Sequence, residues 1–152
     1  MRPQRWVQLI VCGLLLLLAS GVRAGVDPVY TGLFNNTAIS GYDAVAYFTE
    51  GKPVRGSESF TLEYQGAIWQ FSSAEHREMF RENPEAYAPQ YGGYCAYAVA
   101  NGDTTSAEPD LWTIVEGKLY LNYIRRINAR WREDMANYIN QANTNWPALL
   151  TD

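Results

Sequence analysis

The most informative stretch of the chain runs from Phe71 to Phe80 and reads FSSAEHREMF. Ser72 and Glu75 form an S-x-x-E capping box, which predicts that a helix begins here. His76 follows in the first turn of this predicted helix, and it is the single histidine of the chain. His76 is therefore the first candidate for a metal ligand or a reactive group.

The predicted helix presents one face to a core. His76, Met79 and Phe80 stand at i, i+3 and i+4, so their side chains lie on the same side. The helix should end before Pro84, because the residue that precedes a proline is disfavoured in the α region. A short turn or helix should follow over Pro84 to Tyr87.

Hairpins are predicted on both sides of this helix. Residues 59–64 and 67–71 are rich in β-formers and flank Gln65-Gly66, a tight turn. Residues 111–115 and 118–123 flank Glu116-Gly117 in the same way, after a polar loop over 101–110. The apolar run 44–48 indicates a further, isolated strand.

The C-terminal part predicts a second main helix. From Ile124 to Ala142 apolar residues recur at helical spacing, which indicates an amphipathic helix of about five turns. Asn145-Trp146-Pro147 should end it. No internal repeat, low-complexity tract or linker is apparent. The fold class is therefore predicted as α+β, with a small antiparallel sheet built from hairpins and two main helices.

The N-terminus is predicted to be a cleaved signal peptide, residues 1–24. Arg2 and Arg5 precede an apolar run from Trp6 to Ala19, and Val22-Arg23-Ala24 fits a small-x-small cleavage site. The run is shorter than the about 20 residues of a membrane span, and an uncleaved anchor is the less favoured alternative. We expect residues 25–152 to form a single periplasmic domain without stable membrane insertion.

The charge of the predicted mature chain argues against nucleic acid as a partner. The leader holds three of the 12 basic residues and none of the 16 acidic ones, which leaves nine basic residues and a net charge of −7. An acidic surface repels phosphates and is compatible with cations.

Cleavage would leave Cys95 as the lone cysteine, so no intramolecular disulfide can form. Such a cysteine in an exported protein is buried and inert, paired between chains, or a ligand or reactive thiol. Its neighbours Gly92-Gly93 permit close approach by another group. The sequence leaves these alternatives open.

The segment from Tyr42 to Cys95 resembles the YHS domain family. The residues that carry the resemblance are Tyr64-Gln65-Gly66, Trp69 to Ser73, His76, Phe80 and Asn83 to Tyr87. The wider chain resembles the small exported YHS proteins of Gram-negative bacteria through Gly41 to Phe48, Tyr91 to Tyr97 and a C-terminal hairpin and helix over 111–147. The core of the resemblance spans 41–97.

The resemblance implies a link to metal handling, with departures from the metal-binding pattern. In related cysteine-rich modules a cysteine follows the hairpin and a second ligand lies four residues later. These positions correspond to Ser72 and His76, and an earlier ligand position corresponds to Tyr30. Two cysteines of the pattern are therefore replaced in this chain.

The predicted metal ligands are His76 and Cys95, completed by Met79 or Met135, with Asp43 as a ligand or as the group that orients His76. Sulfur ligands with one imidazole favour copper, especially Cu(I). The alternatives are a helix-face histidine bonded to a neighbour, Met79 packed in the core, and Asp43 bonded to its own turn. A Cys95–His76–Asp43 nucleophilic triad is disfavoured, because no oxyanion hole is indicated.

The leading expectation is thus a metal-binding protein, not an enzyme, with a copper ion as the possible cofactor. The runner-up is an interaction or scaffold module of the cell envelope that uses Tyr91, Tyr94 and Tyr97 as an aromatic face, with an unknown protein partner. The two expectations differ in whether Cys95 and His76 are needed for stoichiometric metal binding.

Overall fold

The computed structural model of the protein describes residues 24–151. The predicted signal peptide lies outside the described residues except for Ala24. Within the described range, no helix combines the length and the apolar character that a membrane crossing requires.

The chain consists of two successive halves that mix helices with a hairpin. The first half contains a 3-10 turn at Ala38–Gly41, α1 (Ala46–Thr49), β1 (Ser57–Tyr64), β2 (Ala67–Phe71), α2 (Ala74–Glu82) and α3 (Pro84–Tyr87). The second contains a 3-10 turn at Gln90–Gly93, α4 (Ala96–Ala100), β3 (Glu108–Val115), β4 (Lys118–Asn122), α5 (Arg125–Glu133) and α6 (Met135–Leu149). The predicted α+β class is confirmed, with the hairpins forming two separate two-stranded antiparallel sheets.

The two halves repeat one structural unit, so the expectation of no internal repeat was wrong. Each element of the second half from the hairpin onward begins 51 residues after its counterpart: β1 at 57 and β3 at 108, β2 at 67 and β4 at 118, α2 at 74 and α5 at 125. Both hairpins carry a register irregularity at the same place, between Ser57 and Thr61 and between Glu108 and Trp112.

The two hairpin turns have the same backbone conformation. Gln65 and Gly66 have φ values of 49° and 76°, and Glu116 and Gly117 have 50° and 74°. Two successive positive φ values define the tight turn that matches the twist of paired strands, and glycine adopts the second at little cost. Both predicted hairpins are therefore confirmed, each with a first strand that begins earlier than the sequence indicated.

A shared left-handed turn begins each half. Ile39, Ser40 and Gly41 all have positive φ, and so do Tyr91, Gly92 and Gly93. The related segments Gly41-Tyr42-Asp43-Ala44 and Gly93-Tyr94-Cys95-Ala96 follow these turns and enter α1 and α4. This places Asp43 and Cys95 at equivalent positions of the repeated unit.

The predicted strand over 44–48 was wrong, because this run turns into α1. Asp43 Oδ1 accepts hydrogen bonds from the backbone N–H groups of Val45 and Ala46, at 2.9 and 3.3 Å. A carboxylate that binds these N–H groups stabilises a helical first turn. Helix α4, the counterpart of α1, was not predicted.

Three details of the helices also differ from the prediction. The cap of α2 is Ser73 rather than Ser72, since Ser73 Oγ accepts from the backbone N–H of His76 at 3.1 Å. The long C-terminal helix is broken at Asp134, whose φ of −149° is not helical. Helix α6 also passes through Pro147 and ends at Leu149 instead of stopping at the proline.

Each half has its own cluster of buried aromatic residues. Trp69, Phe71 and Phe80 stack in the first, with Trp69 and Phe80 ring centroids 4.8 Å apart. Tyr120 and Trp131 occupy the second, with ring centroids 5.4 Å apart. These clusters hold α2 and α5 against their hairpins and so fix the position of His76.

Candidate functional site

Asp43 is the centre of a hydrogen-bond network in the first half of the protein. Its side chain is completely buried, where an unpaired carboxylate would be strongly unfavourable. While Oδ1 binds the start of α1, Oδ2 accepts from the backbone N–H of Ser72 at 2.8 Å and from its hydroxyl at 2.6 Å. The carboxylate thus joins α1 to the end of β2.

The imidazole of His76 completes this network. Its Nδ1 lies 2.6 Å from Asp43 Oδ2 and 3.3 Å from Ser72 Oγ. A carboxylate can only accept a hydrogen bond, so Nδ1 is the nitrogen that carries the proton. The other nitrogen, Nε2, then presents its lone pair when the ring is neutral.

The free nitrogen faces the end of α1 near the surface. His76 Nε2 lies 3.3 Å from the hydroxyl of Thr49, an exposed residue, and 13% of the His76 side chain is accessible. Sequence reasoning missed Thr49. No motif marks it, because the predicted strand over 44–48 ended one residue before Thr49.

Met79 lies one helical turn after His76 on the same face of α2. Residues three apart on a helix are neighbours, with about 5–6 Å between their Cβ atoms. Its side chain is half-buried and packs against the first core cluster. Met79 therefore packs against the core from the helix face that also carries His76.

Cys95 lies in the second half and has a different environment. It is buried, and its thiol donates to Asn122 Oδ1 at 3.5 Å. Burial raises the pKa of the Cys95 thiol, and the backbone N–H groups of Ala98, Tyr123 and Tyr97 oppose the rise only in part. The thiol is therefore held in its protonated, weakly nucleophilic form.

The internal repeat explains the environment of Cys95. The N–H groups of Tyr97 and Ala98 are the counterparts of those of Val45 and Ala46, and Tyr123 is the counterpart of Ser72. The backbone cradle that binds the Asp43 carboxylate therefore surrounds the Cys95 thiol in the second half, where the N–H of Tyr97 donates to Asn122 Oδ1 at 3.1 Å. The position of His76 corresponds to Ile127, so the second cradle has no imidazole beside it.

The structure brings together some of the predicted ligands and not the others. Asp43 and His76 are in direct contact, and Met79 shares their helix face. Among residues 24–151, no three His, Cys, Asp or Glu side chains form a group that could hold a metal ion. The hydrogen bonds of Cys95 go to Asn122, so the triad of Cys95, His76 and Asp43 does not form.

The aromatic candidates lie mainly in the second core. Tyr30 packs edge-on against Tyr94, with ring centroids 5.3 Å apart. The residue that lies beside Ser72 and His76 is Asp43 rather than Tyr30. Tyr91 and Tyr94 are buried, and Tyr97 packs against Tyr138. Residues 91–97 therefore form part of the core rather than an exposed aromatic face.

Residues 45–91 match the model of the YHS domain family, which supports the resemblance at the level of the family. The matched span contains Ser72, His76 and Met79, whereas Asp43 lies two residues before it and Cys95 four residues after it. Searches of the curated proteins and of the solved structures gave no match to the chain.

Proposed function

We propose that this protein is an exported, non-enzymatic YHS-domain protein that binds a transition-metal ion, with Cu(I) as the first choice. The observation that supports the proposal is the 2.6 Å hydrogen bond between Asp43 Oδ2 and His76 Nδ1. Metal-binding histidines commonly donate their second ring nitrogen to a carboxylate, which fixes the tautomer and raises the basicity of the ligand nitrogen.

In this proposal Asp43 orients the ligand and does not itself bind the metal. Both of its oxygens are already used by donors from Val45, Ala46, Ser72 and His76. Direct coordination would require the loss of several of these bonds inside the core. His76 Nε2 is the atom of this network that stays available to a metal ion.

The choice of metal follows from the donors on the face of α2 that carries His76. Met79 offers a thioether on the same helix face, and a soft sulfur ligand with an imidazole favours Cu(I). A cuprous ion accepts two ligands, so this sparse donor set fits it better than the closed four-ligand site of zinc. The residues present thus fit a low-coordinate copper site, which His76 Nε2 and the thioether of Met79 would hold.

The chemistry and the location suggest handling of the ion rather than its use in a reaction. A partly accessible site with few ligands releases metal more readily than a closed cage, which suits transfer between partners. The predicted leader over residues 1–24 supports export to the periplasm, and YHS domains are associated with metal handling.

The test is elemental analysis of protein purified without an affinity tag from cells supplied with copper. We expect about one copper per chain in the unmodified protein and none above background in His76→Ala. We expect Cys95→Ser to retain its copper, because Cys95 lies in the other half. Copper that persists in His76→Ala, or its absence from the unmodified protein, would refute the proposal.

A further inference from the structure

A cleft of about 450 Å³ without an assigned role lies where the two aromatic cores meet. Tyr64 on its wall packs against the first core, and Trp146 belongs to the second. Clefts that bind small molecules have volumes of about 300–1,000 Å³. This one is at the lower end of that range and suits a compact ligand.

Two half-buried aromatic residues, Tyr64 and Trp146, line the cleft. Tyr64 is held by an edge-on contact with Phe80 at 5.7 Å, and Trp146 by one with Tyr91 at 5.9 Å. Aromatic rings that are fixed by such contacts can receive a ligand without losing further conformational freedom. The cleft therefore has preformed apolar surface.

Four polar side chains from separate elements converge on the same cleft. Gln65 comes from the first hairpin turn, Glu85 from α3, Gln90 from the linking 3-10 turn and Lys118 from β4. Together they offer both hydrogen-bond donors and acceptors. One carboxylate and one ammonium group leave no net charge, which disfavours phosphorylated or strongly anionic ligands.

We infer that this cleft binds a neutral disaccharide. A sugar ring presents an apolar C–H face that packs on an aromatic ring, and its hydroxyl groups both donate and accept hydrogen bonds. Aromatic surfaces edged by two amides, one acid and one amine match that pattern. The inference is independent of the metal proposal, because Asp43, Thr49, Ser72, His76 and Met79 do not line the cleft.

The test is a titration of the ¹⁵N-labelled protein with cellobiose, maltose, lactose and chitobiose at millimolar concentrations. The indole N–H signal of Trp146, assigned through Trp146→Phe, reports on the cleft. We expect at least one disaccharide to shift this signal saturably. Gln65→Ala and Lys118→Ala should each weaken that binding several-fold, and because both residues are exposed their loss should leave the fold intact.

Tyr123→Ala is the matched control, since Tyr123 is an exposed aromatic residue outside the cleft. It should leave the affinity for the disaccharide unchanged, and His76→Ala should do the same. The inference is overturned if no disaccharide shifts the Trp146 signal, or if Gln65→Ala and Lys118→Ala both bind as tightly as the unmodified protein. Saturable binding of a zwitterionic dipeptide in place of the sugars would also overturn it.

Discussion

At the scale of single residues, Asp43 combines a structural role with a chemical one. Its carboxylate binds N–H groups at the start of α1, both donors of Ser72 and the ring of His76. The sequence suggested either a turn residue or a partner of His76. The structure supports both interpretations, because one oxygen serves the turn and the other serves the imidazole.

Replacement of Asp43 should therefore cost stability as well as metal affinity. Asp43→Ala leaves several buried donors without an acceptor, so we expect the free energy of unfolding to fall by about 3 kcal/mol. Asp43→Asn should cost less, since its Oδ1 still accepts from Val45 and Ala46. Urea denaturation measures the change in the free energy of unfolding for both variants.

Asp110→Asn is the control for these variants, because Asp110 is exposed. We expect it to alter the free energy of unfolding by less than about 0.5 kcal/mol. If Asp43→Ala were as mild as this control, the buried network would not contribute to stability as described.

At the scale of elements, the equivalent helices α2 and α5 begin differently. Ser73 accepts a hydrogen bond from His76 at the start of α2, whereas its counterpart Ile124 provides no side-chain cap for α5. The two residues have similar extended backbones, with φ and ψ of −151° and 162° for Ser73 and −132° and 159° for Ile124. Helix α5 also has Arg125 and Arg126 in its first turn, where positive charge opposes the helix dipole.

Ile124→Asp should therefore stabilise the protein. Aspartate would accept from the free N–H groups of α5 and interact favourably with the helix dipole, for a gain of about 1 kcal/mol. The reverse change at the equivalent position, Ser73→Ala, should cost about 1 kcal/mol. Thermal unfolding of the two variants should shift in opposite directions, and a fall in Tm for Ile124→Asp would contradict the assigned equivalence of these helix starts.

The sequence predicted the elements with strong local signals and missed those set by tertiary contacts. Both hairpins follow from Gln65-Gly66 and Glu116-Gly117, whose turn chemistry is local. Helix α1 was missed because its apolar residues resemble a strand, while the carboxylate of Asp43 stabilises the helical turn. The break at Asp134 also carried no recognised signal in the apolar spacing of the chain.

The candidate site was predictable in part for the same reason. His76 was identified as the single histidine, and its pairing with Asp43 was named as one alternative. Its separation from Cys95 depends on how the two halves are arranged, which the unrecognised repeat conceals. Thr49 could not be placed beside the imidazole without α1.

At the scale of the whole molecule, stability depends on buried groups that stay protonated. Burial raises the pKa of Cys95 and Tyr91, and burial with the nearby charge of Asp110 raises that of Tyr47. The unfolded chain loses these protons at lower pH than the folded protein does. Because the unfolded state then binds fewer protons, stability must decrease as pH rises.

We accordingly expect the urea midpoint to stay nearly constant from about pH 7 to pH 8 and to fall from about pH 9 upward. Cys95→Ala should reduce the early part of this fall, since the thiol titrates before the tyrosines in the unfolded chain. A midpoint that stays constant up to about pH 10.5 would contradict the burial of these groups.

The most direct test of the central claim is the protonation state of the imidazole of His76 in the presence and absence of Cu(I). Because the chain has a single histidine, a long-range ¹H–¹⁵N spectrum reports this ring alone. In the metal-free protein we predict a proton on Nδ1, which donates to Asp43 Oδ2. Addition of Cu(I) should shift Nε2 selectively while Nδ1 keeps its proton. A proton on Nε2, or ring signals that do not respond to Cu(I), would contradict the account.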